Sequence, residues 1–512
     1  MVDQIYNKLA KDEPVEPPQI ALLLSIFAST TYSWTSLDLT AHPGLFENVE
    51  EANAQSPLWV KGCLDLVDRA GRCASRSVEN IQAMIIAFFM LVNFEGITLR
   101  YTSLLNQAIS MARDLGFHRL DHSHPIANTA RPTPGTVAEE IGRRIWWYLS
   151  ATDWMSRYAS PHEGIYTIIP HQITTRKPFN ANDDDLFDGM PNSINKPLCE
   201  PTEMSYFLQR IRLGELCREL CDRMPVDAMP GEPASHAQVL EVDAKFNKFM
   251  MGIPVFFRLS SSENSPELTP GIIIQRYILN SLLHSHRCKM HLPYITSKYA
   301  NSASYAYSRK TCLDAARQII RTERLLEREA VAFVHTRFRI SGVLQSVFIA
   351  NIAFLLDLCF HSDHGEYDPI RKAELLDACS ILEDAWNQSP MISGLIESLN
   401  SVARKYKLPL PFMANIDRSS TANSSTLSTA MSGLGFTPSH VADVNAPSST
   451  NITASSNNDL SSVPGPAQVN LDMPFFDWES FSAEMEVDSL DWNALLNELD
   501  SQYFASSMPS TR

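Results

Sequence analysis

From Pro18 to about Leu408 the apolar residues recur at helical rather than strand spacing. Ile20, Leu23, Leu24, Ile26 and Phe27 form one such stripe. Ser77 stands where an N-cap is needed, Glu79 falls in the first turn, and the apolar block 81–92 follows. In 99–115, residues Leu104, Leu105, Ala108, Ile109, Ala112 and Leu115 share a face, and Gly116 is placed to end the helix. The short connection at 93–98 makes these two helices an αα-hairpin. After a break at 132–135, a long helix is predicted over 137–157, carrying Trp146, Trp147 and Tyr148. Helical period is lost over 161–178, where Ile165, Tyr166, Ile168 and Ile169 suit an extended loop. Further helices are predicted over 204–223, 237–250, 273–290, 305–326, 330–360 and 371–386. No alternating strands bounded by glycine turns occur, so the expected class is all-α, one large helical domain followed by a disordered C-terminal tail.

Composition divides the chain after that domain. Residues 1–410 form the expected helical unit. Residues 411–466 are rich in Ser, Thr and Asn with few large apolar side chains, which suits a disordered linker. Residues 467–512 hold nine acidic residues against the single Arg512, so this segment carries half of the net charge of −16. Phe475, Phe476, Trp478 and Phe481 are interleaved with those acids. Ser489 can cap a short helix in which Trp492, Leu495, Leu496 and Leu499 follow the i, i+3, i+4, i+7 rule. Acids hold such apolar residues in solvent, ready to enter a partner groove as a helix. The competing reading is a helix docked on its own core.

Nine scattered cysteines suggest reduced thiols packed as small hydrophobes. The N-terminus lacks the apolar region of a signal peptide, and the longest apolar run, 81–92, is too short for a bilayer, so no membrane partner is expected. An acidic chain is poorly suited to neutralise DNA phosphates, so cations for DNA would have to come from elsewhere. The pairs Arg143–Arg144, Arg309–Lys310 and Arg404–Lys405 read as solvated or ion-paired faces.

Residues 184–188 have the DDxxD spacing with which helical prenyl-diphosphate enzymes hold magnesium. That chemistry requires carboxylates on one helix face and a second acidic motif, which is not found. Pro178 and Asn182 instead suit a capped loop. His118, His122 and His124, and the group His284, His286 and His291, lack cysteines at zinc-ligand spacing and read as surface or loop residues. No G-x-S-x-G elbow and no Gly-rich phosphate loop is present.

Three motifs occur in a telling order: ARDLGFHRLD at 112–121, GRRIWWYLSATDWMSRYASP at 142–161 and PFNANDDDL at 178–186. Over roughly residues 15–400 the chain resembles the fungal-specific transcription factor domain, the middle homology region of fungal zinc-cluster regulators. The resemblance implies an all-helical regulatory domain without enzymatic activity, acting in the nucleus, often as a homo- or heterodimer. It makes Arg143, Arg144, Trp146, Trp147, Asp153, Pro178, Asn182, Asp183, Asp184 and Asp185 a family signature rather than a magnesium site. It also implies that the acidic tail meets coactivators or the transcription machinery. Where the family usually has glycine-arginine-proline, this chain has Ser160, Pro161, His162 and Glu163. The family's six-cysteine zinc cluster has no C-x2-C-x6-C counterpart here. Zinc is expected only with such a cluster upstream, and DNA only through that module or a partner. The alternatives are a magnesium-dependent prenyl-diphosphate enzyme and a scaffold that sequesters a related regulator.

Overall fold

The computed structural model describes residues 2–72, 76–121, 135–159, 166–223, 235–259, 268–295, 302–360, 369–386, 388–389 and 392–405. The expected linker and acidic tail lie outside them, as do Phe475, Phe476, Trp478, Phe481, Trp492, Leu495, Leu496 and Leu499. The described residues belong to one compact unit. It is all-α: among them no strand occurs, and the one β feature is an isolated bridge between Gly135 and Met190.

The N-terminal layer comprises α1 (Val2–Ala10), α2 (Pro17–Tyr32), α3 (Ser36–Ala41), α4 (Val49–Arg72), α5 (Val78–Glu95) and α6 (Leu99–Asp114). Prolines at the first two positions of α2 are harmless, because those N–H groups have no helical acceptor. The predicted hairpin is α5 and α6. Ser77 Oγ accepts from the Asn80 N–H at 3.1 Å, and Gly116 follows α6 in the left-handed region at φ 78°. Both signals were readable because capping is a local interaction.

Helices α7 (Val137–Ala159) and α8 (Ser205–Cys221) stand between two apolar cores. On one side Trp146, Leu149 and Trp154 of α7 join Ile81, Phe88 and Leu105. On the other, Met155 of α7 and Leu213 and Cys217 of α8 join Phe246 of α9 (His236–Met251) and Leu279 and Leu283 of α10 (Pro270–His291). The pair is in close contact at Gly214, where an added Cβ would sit 3.0 Å from the Ala151 Cα.

The C-terminal layer comprises α11 (Ala306–Leu326), α12 (Ser341–Phe360), α13 (Pro369–Asp384) and α14 (Ile392–Lys405). Sixteen of the twenty residues of α12 are buried, so this helix can be apolar on every side. It is touched by α5, α10, α11, α13 and α14. By length and composition α5 and α12 could each cross a membrane, but in this fold they supply core: 83% of the apolar window of α12 is buried against other helices.

The prediction of one helix over 330–360 is corrected. The chain makes 3-10 turns at Ala332–His335 and Arg337–Arg339 before α12 begins at Ser341. Arg337 is buried and reaches Glu323 of α11 at 3.3 Å and Glu327, which caps the end of that helix, at 2.9 Å. The histidine expectation is corrected too. His284, His286 and His291 are buried in α10, where burial lowers the pKa of His284 to about 4 and of His286 to about 3. His291 lies 3.3 Å from the buried carboxylate of Asp243 and 2.9 Å from Ser308 Oγ. Cys63, Cys217, Cys221, Cys288, Cys312 and Cys379 are buried free thiols, Cys359 is half-buried, and Cys199 is exposed.

Gly214→Val should force α7 and α8 apart and lower unfolding stability by about 2 kcal/mol, the usual cost of overpacking a close helix contact. Urea denaturation followed by circular dichroism measures it, with Gly342→Val as the control, where an added Cβ meets nothing within 4 Å.

Candidate functional site

The first turn of α7 is held by a capping box. Thr136 Oγ1 accepts from the Glu139 N–H at 3.2 Å, and Glu139 Oε2 accepts from the Thr136 N–H at 3.0 Å. Asp188 adds a third acceptor for the orphan donors, taking the Val137 N–H at 2.9 Å. One turn on, Glu140, Arg143, Arg144 and Trp147 share a face by their i, i+3, i+4, i+7 spacing. The segment 166–204 makes hydrogen bonds and ion pairs to that face, while its Ile168 packs into the N-terminal apolar core.

Arg143 is the centre. Its guanidinium is 3% exposed and holds Asp121 with two hydrogen bonds, Nη2 to Oδ1 at 2.8 Å and Nε to Oδ2 at 3.1 Å. Nη1 reaches Glu140 Oε2 at 3.4 Å, and the guanidinium carbon stands 5.8 Å from the centre of the Phe179 ring. Glu140 has no exposed side chain. Its other oxygen accepts the Phe179 N–H at 3.0 Å and lies 3.5 Å from Arg144 Nε. Burial raises the pKa of Glu140, although the Phe179 N–H, Arg144 and Arg143 oppose the shift. Burial would also raise that of Asp121, but hydrogen bonds from Arg143 and from the Arg176 N–H and side chain hold it down to about 2.

Trp147, side chains further along α7 and residues of the segment itself fix the rest of it. Trp147 Nε1 donates to the Arg176 carbonyl at 2.8 Å, with Lys177 Nζ 5.5 Å from its ring centre. Asp153, fully buried, accepts the Thr167 and Ile168 N–H groups, both at 2.7 Å, and Trp154 Nε1 donates to the Ile168 carbonyl at 2.9 Å. Thr175 ties the segment to 117–121, donating to the Phe117 carbonyl at 2.6 Å and accepting the Leu120 N–H at 3.0 Å. Asn180 closes the far end. Its amide donates to the Lys196, Pro197 and Glu200 carbonyls, and its oxygen accepts from Thr202 and Ser205.

Residues 183–185 form a 3-10 turn on this segment, so the two adjacent aspartates are not on one face of an α-helix. Asp183 Oδ1 accepts from Arg144 at 2.5 Å. Asp185 accepts from Lys196 at 2.6 Å and from the Asn182 N–H at 3.0 Å, and the Lys196 hydrogen bond lowers its pKa. Asn182 Oδ1 in turn accepts the Glu203 N–H. With Asp188 spent on the α7 N-terminus, Asp184 alone of the string has neither an ion-pair nor a hydrogen-bond partner among the described residues. Among those residues, no cluster of three or more His, Cys, Asp or Glu side chains is arranged to hold a metal ion.

The structure thus brings Arg143, Arg144, Trp147, Asp153, Asn182, Asp183 and Asp185 into one network, with Pro178 buried inside it. Trp146 points the other way, into the N-terminal core, 1% exposed and beside His118. Glu140, Arg176 and Asn180 were missed as network members. Glu140 reads as an ordinary first-turn acid, and Asn180 as a loop residue; neither carries a spacing signal. Asp121 ends the first of the three motifs, which was the one available hint.

This is an all-helical protein whose motif residues are engaged in fixing an irregular segment to a long helix. Its sequence has relatives. It is 35% identical over 414 residues to the probable transcription factor lepB of Aspergillus flavus, covering 80% of this chain and 72% of that one. It is 26% identical over 437 residues to the agnestins biosynthesis cluster transcription factor AgnL11 of Paecilomyces divaricatus, covering 83% and 61%. A third relative is the Zn(2)-C6 fungal-type transcription factor pigI of Monascus ruber, 26% identical over 317 residues, covering 59% and 36%. The chain therefore spans most of lepB but less than two thirds of the other two. No protein-family model matches it. The chain belongs to the family of fungal transcription factors that includes lepB.

Arg143→Ala removes the central cation between buried Glu140 and half-buried Asp121 and should cost about 3–5 kcal/mol, whereas Asp184→Ala at an exposed site should stay within about 0.5 kcal/mol; urea denaturation compares them. The Asp121 pKa is depressed on folding, from 3.8 to about 2, so its stabilisation is full above pH 4 and lost as pH falls toward 2. Wild type should therefore exceed Asp121→Asn in stability at pH 6, and their urea midpoints should converge between pH 4 and pH 2.

Proposed function

We propose that this chain regulates transcription by RNA polymerase II in the fungal nucleus and is not an enzyme. Residues 1–410 act as the regulatory body, 411–466 as a flexible spacer, and 467–512 as an activation segment. The observation that carries this reading is the similarity to lepB, which extends over four fifths of the chain and includes all three sequence motifs. DNA is met through a Zn2Cys6 cluster or through a partner subunit, in a homo- or heterodimer. The net charge of −16 supports this division of labour, since the helical body and tail together repel phosphate. So does the name of pigI, a Zn(2)-C6 fungal-type factor. No cofactor is assigned to the residues of this sequence; zinc enters only with the cluster. The name of AgnL11 supports a further step, that the targets are a set of clustered biosynthetic genes.

In the acidic segment, Phe475, Phe476, Trp478 and Phe481 followed by the Trp492, Leu495, Leu496, Leu499 face supply the apolar anchors for a coactivator or the transcription machinery. Residues 467–512 fused to a heterologous DNA-binding domain should activate a reporter. Trp492→Ala with Leu496→Ala should reduce that output by about tenfold, since two buried anchors are lost. A silent fusion would remove activation from the proposal.

A further inference from the structure

The second helical core contains an opening that none of the transcription readings uses. Between α10 and α11 lies a cavity of about 370 Å³, within the size range of small-molecule sites. Each helix presents one face to it. Asn280, Leu283, His284 and Arg287 come from α10 at i, i+3, i+4, i+7, and Asp314, Ala315, Gln318 and Arg321 come from α11 at i, i+1, i+4, i+7. The end of α9 and the following turn close one side with Met250, Ile253, Phe257 and Leu259. Its accessible apolar surface comes from the half-buried Met250 and Leu259, backed by the nearly or fully buried Phe257, Leu283 and Ala315.

The polar groups are unevenly committed. Arg287 is held by Asp243 at 2.7 and 3.0 Å, and Asp314 by Arg317 at 3.0 Å. Arg321, exposed at the rim, has no hydrogen-bond or ion-pair partner among the described residues. His284 is 8% exposed, and its Nδ1 is buried without a hydrogen-bond partner. Burial holds its pKa down to about 4, so near neutral pH the ring is uncharged. A buried ring nitrogen left without a partner forgoes stabilisation that a ligand can restore once the ring turns about its bond to the chain. The cavity therefore offers an apolar wall, a neutral hydrogen-bonding ring inside and a spare guanidinium outside.

We propose that this cavity is a ligand site for an amphipathic organic anion, an aromatic or alicyclic carboxylic acid. Its apolar body lies against Met250 and Leu259, its carboxylate meets Arg321, and a hydroxyl or carbonyl on the body meets His284. Arg258, also at the rim, adds positive potential, although two of its nitrogens already donate to the Ile253 and Met251 carbonyls. The inference is independent of how the protein meets DNA.

The test uses the full chain and two fluorescent probes of similar shape, the anionic anilinonaphthalene sulfonate and the uncharged phenylnaphthylamine. Wild type should bind both saturably. Arg321→Glu, at an exposed position, should weaken the anionic probe by about tenfold, the loss of one charge-assisted hydrogen bond, and leave the neutral probe unchanged. Gln318→Trp, which fills the cavity from a half-buried position, should abolish both. Unchanged far-ultraviolet circular dichroism and thermal midpoint show that both variants fold. Absence of saturable binding in wild type, equal binding of the anionic probe to Arg321→Glu, or retention of both probes by folded Gln318→Trp would each overturn the proposal.

Discussion

Glu140 is a carboxylate with no access to water, and the rest of the motif region is arranged around that constraint. A buried charge costs several kcal/mol unless it is paired and its remaining lone pairs are satisfied. Arg143 supplies one partner but brings a second charge, which Asp121 balances. Two carboxylates and one guanidinium still leave a deficit of donors. The backbone of segment 166–204 makes it up with the Phe179 N–H on Glu140 and the Arg176 N–H on Asp121, and Arg176 and Arg144 add two more cations. The irregular segment is thus required by the charges of α7 as much as it is held by them.

This coupling has a wider reach because α7 and α8 stand between the two apolar cores. Trp154 packs in one core while its indole N–H fixes the segment, and Met155 beside it packs in the other. The segment then leads directly into α8, with Asn180, Thr202 and Ser205 joining its end to the helix start. Apolar packing holds each core, and directional hydrogen bonds set the register between helix and segment. Hydrophobic burial alone could not do this, because it is not directional.

Much of the helical architecture was legible before any coordinates. Ser77, Gly116 and the stripe of Leu104, Leu105, Ala108 and Ile109 act through neighbours three or four residues away, and such signals survive in one dimension. The stretch 330–340 was misread because Val331, Phe333, Val334 and Phe338 mimic a helix, while the tie that breaks it, Arg337 to α11, is tertiary. The buried histidines of α10 were misplaced for a related reason. Polar residues signal surface only when one side of a helix faces water, and α10 has α9, α11 and α12 around it. The aspartate string posed the hardest case: its spacing fits a metal site, and only the positions of Arg144, Lys196 and Val137 reveal what the carboxylates do. Asn180 carried no signal, since one asparagine in a loop looks like any other.

The central claim is that the motif region is a rigid polar clamp, and amide hydrogen exchange tests it most directly. The N–H groups of Thr167, Ile168, Arg176 and Phe179 donate to Asp153, Asp121 and Glu140 rather than to any helix or sheet ladder. If the clamp holds, these four amides exchange slowly and together with the amides of α7, in one common opening. If they exchange at the rate of an unprotected loop while α7 stays protected, the segment is not clamped and the account fails.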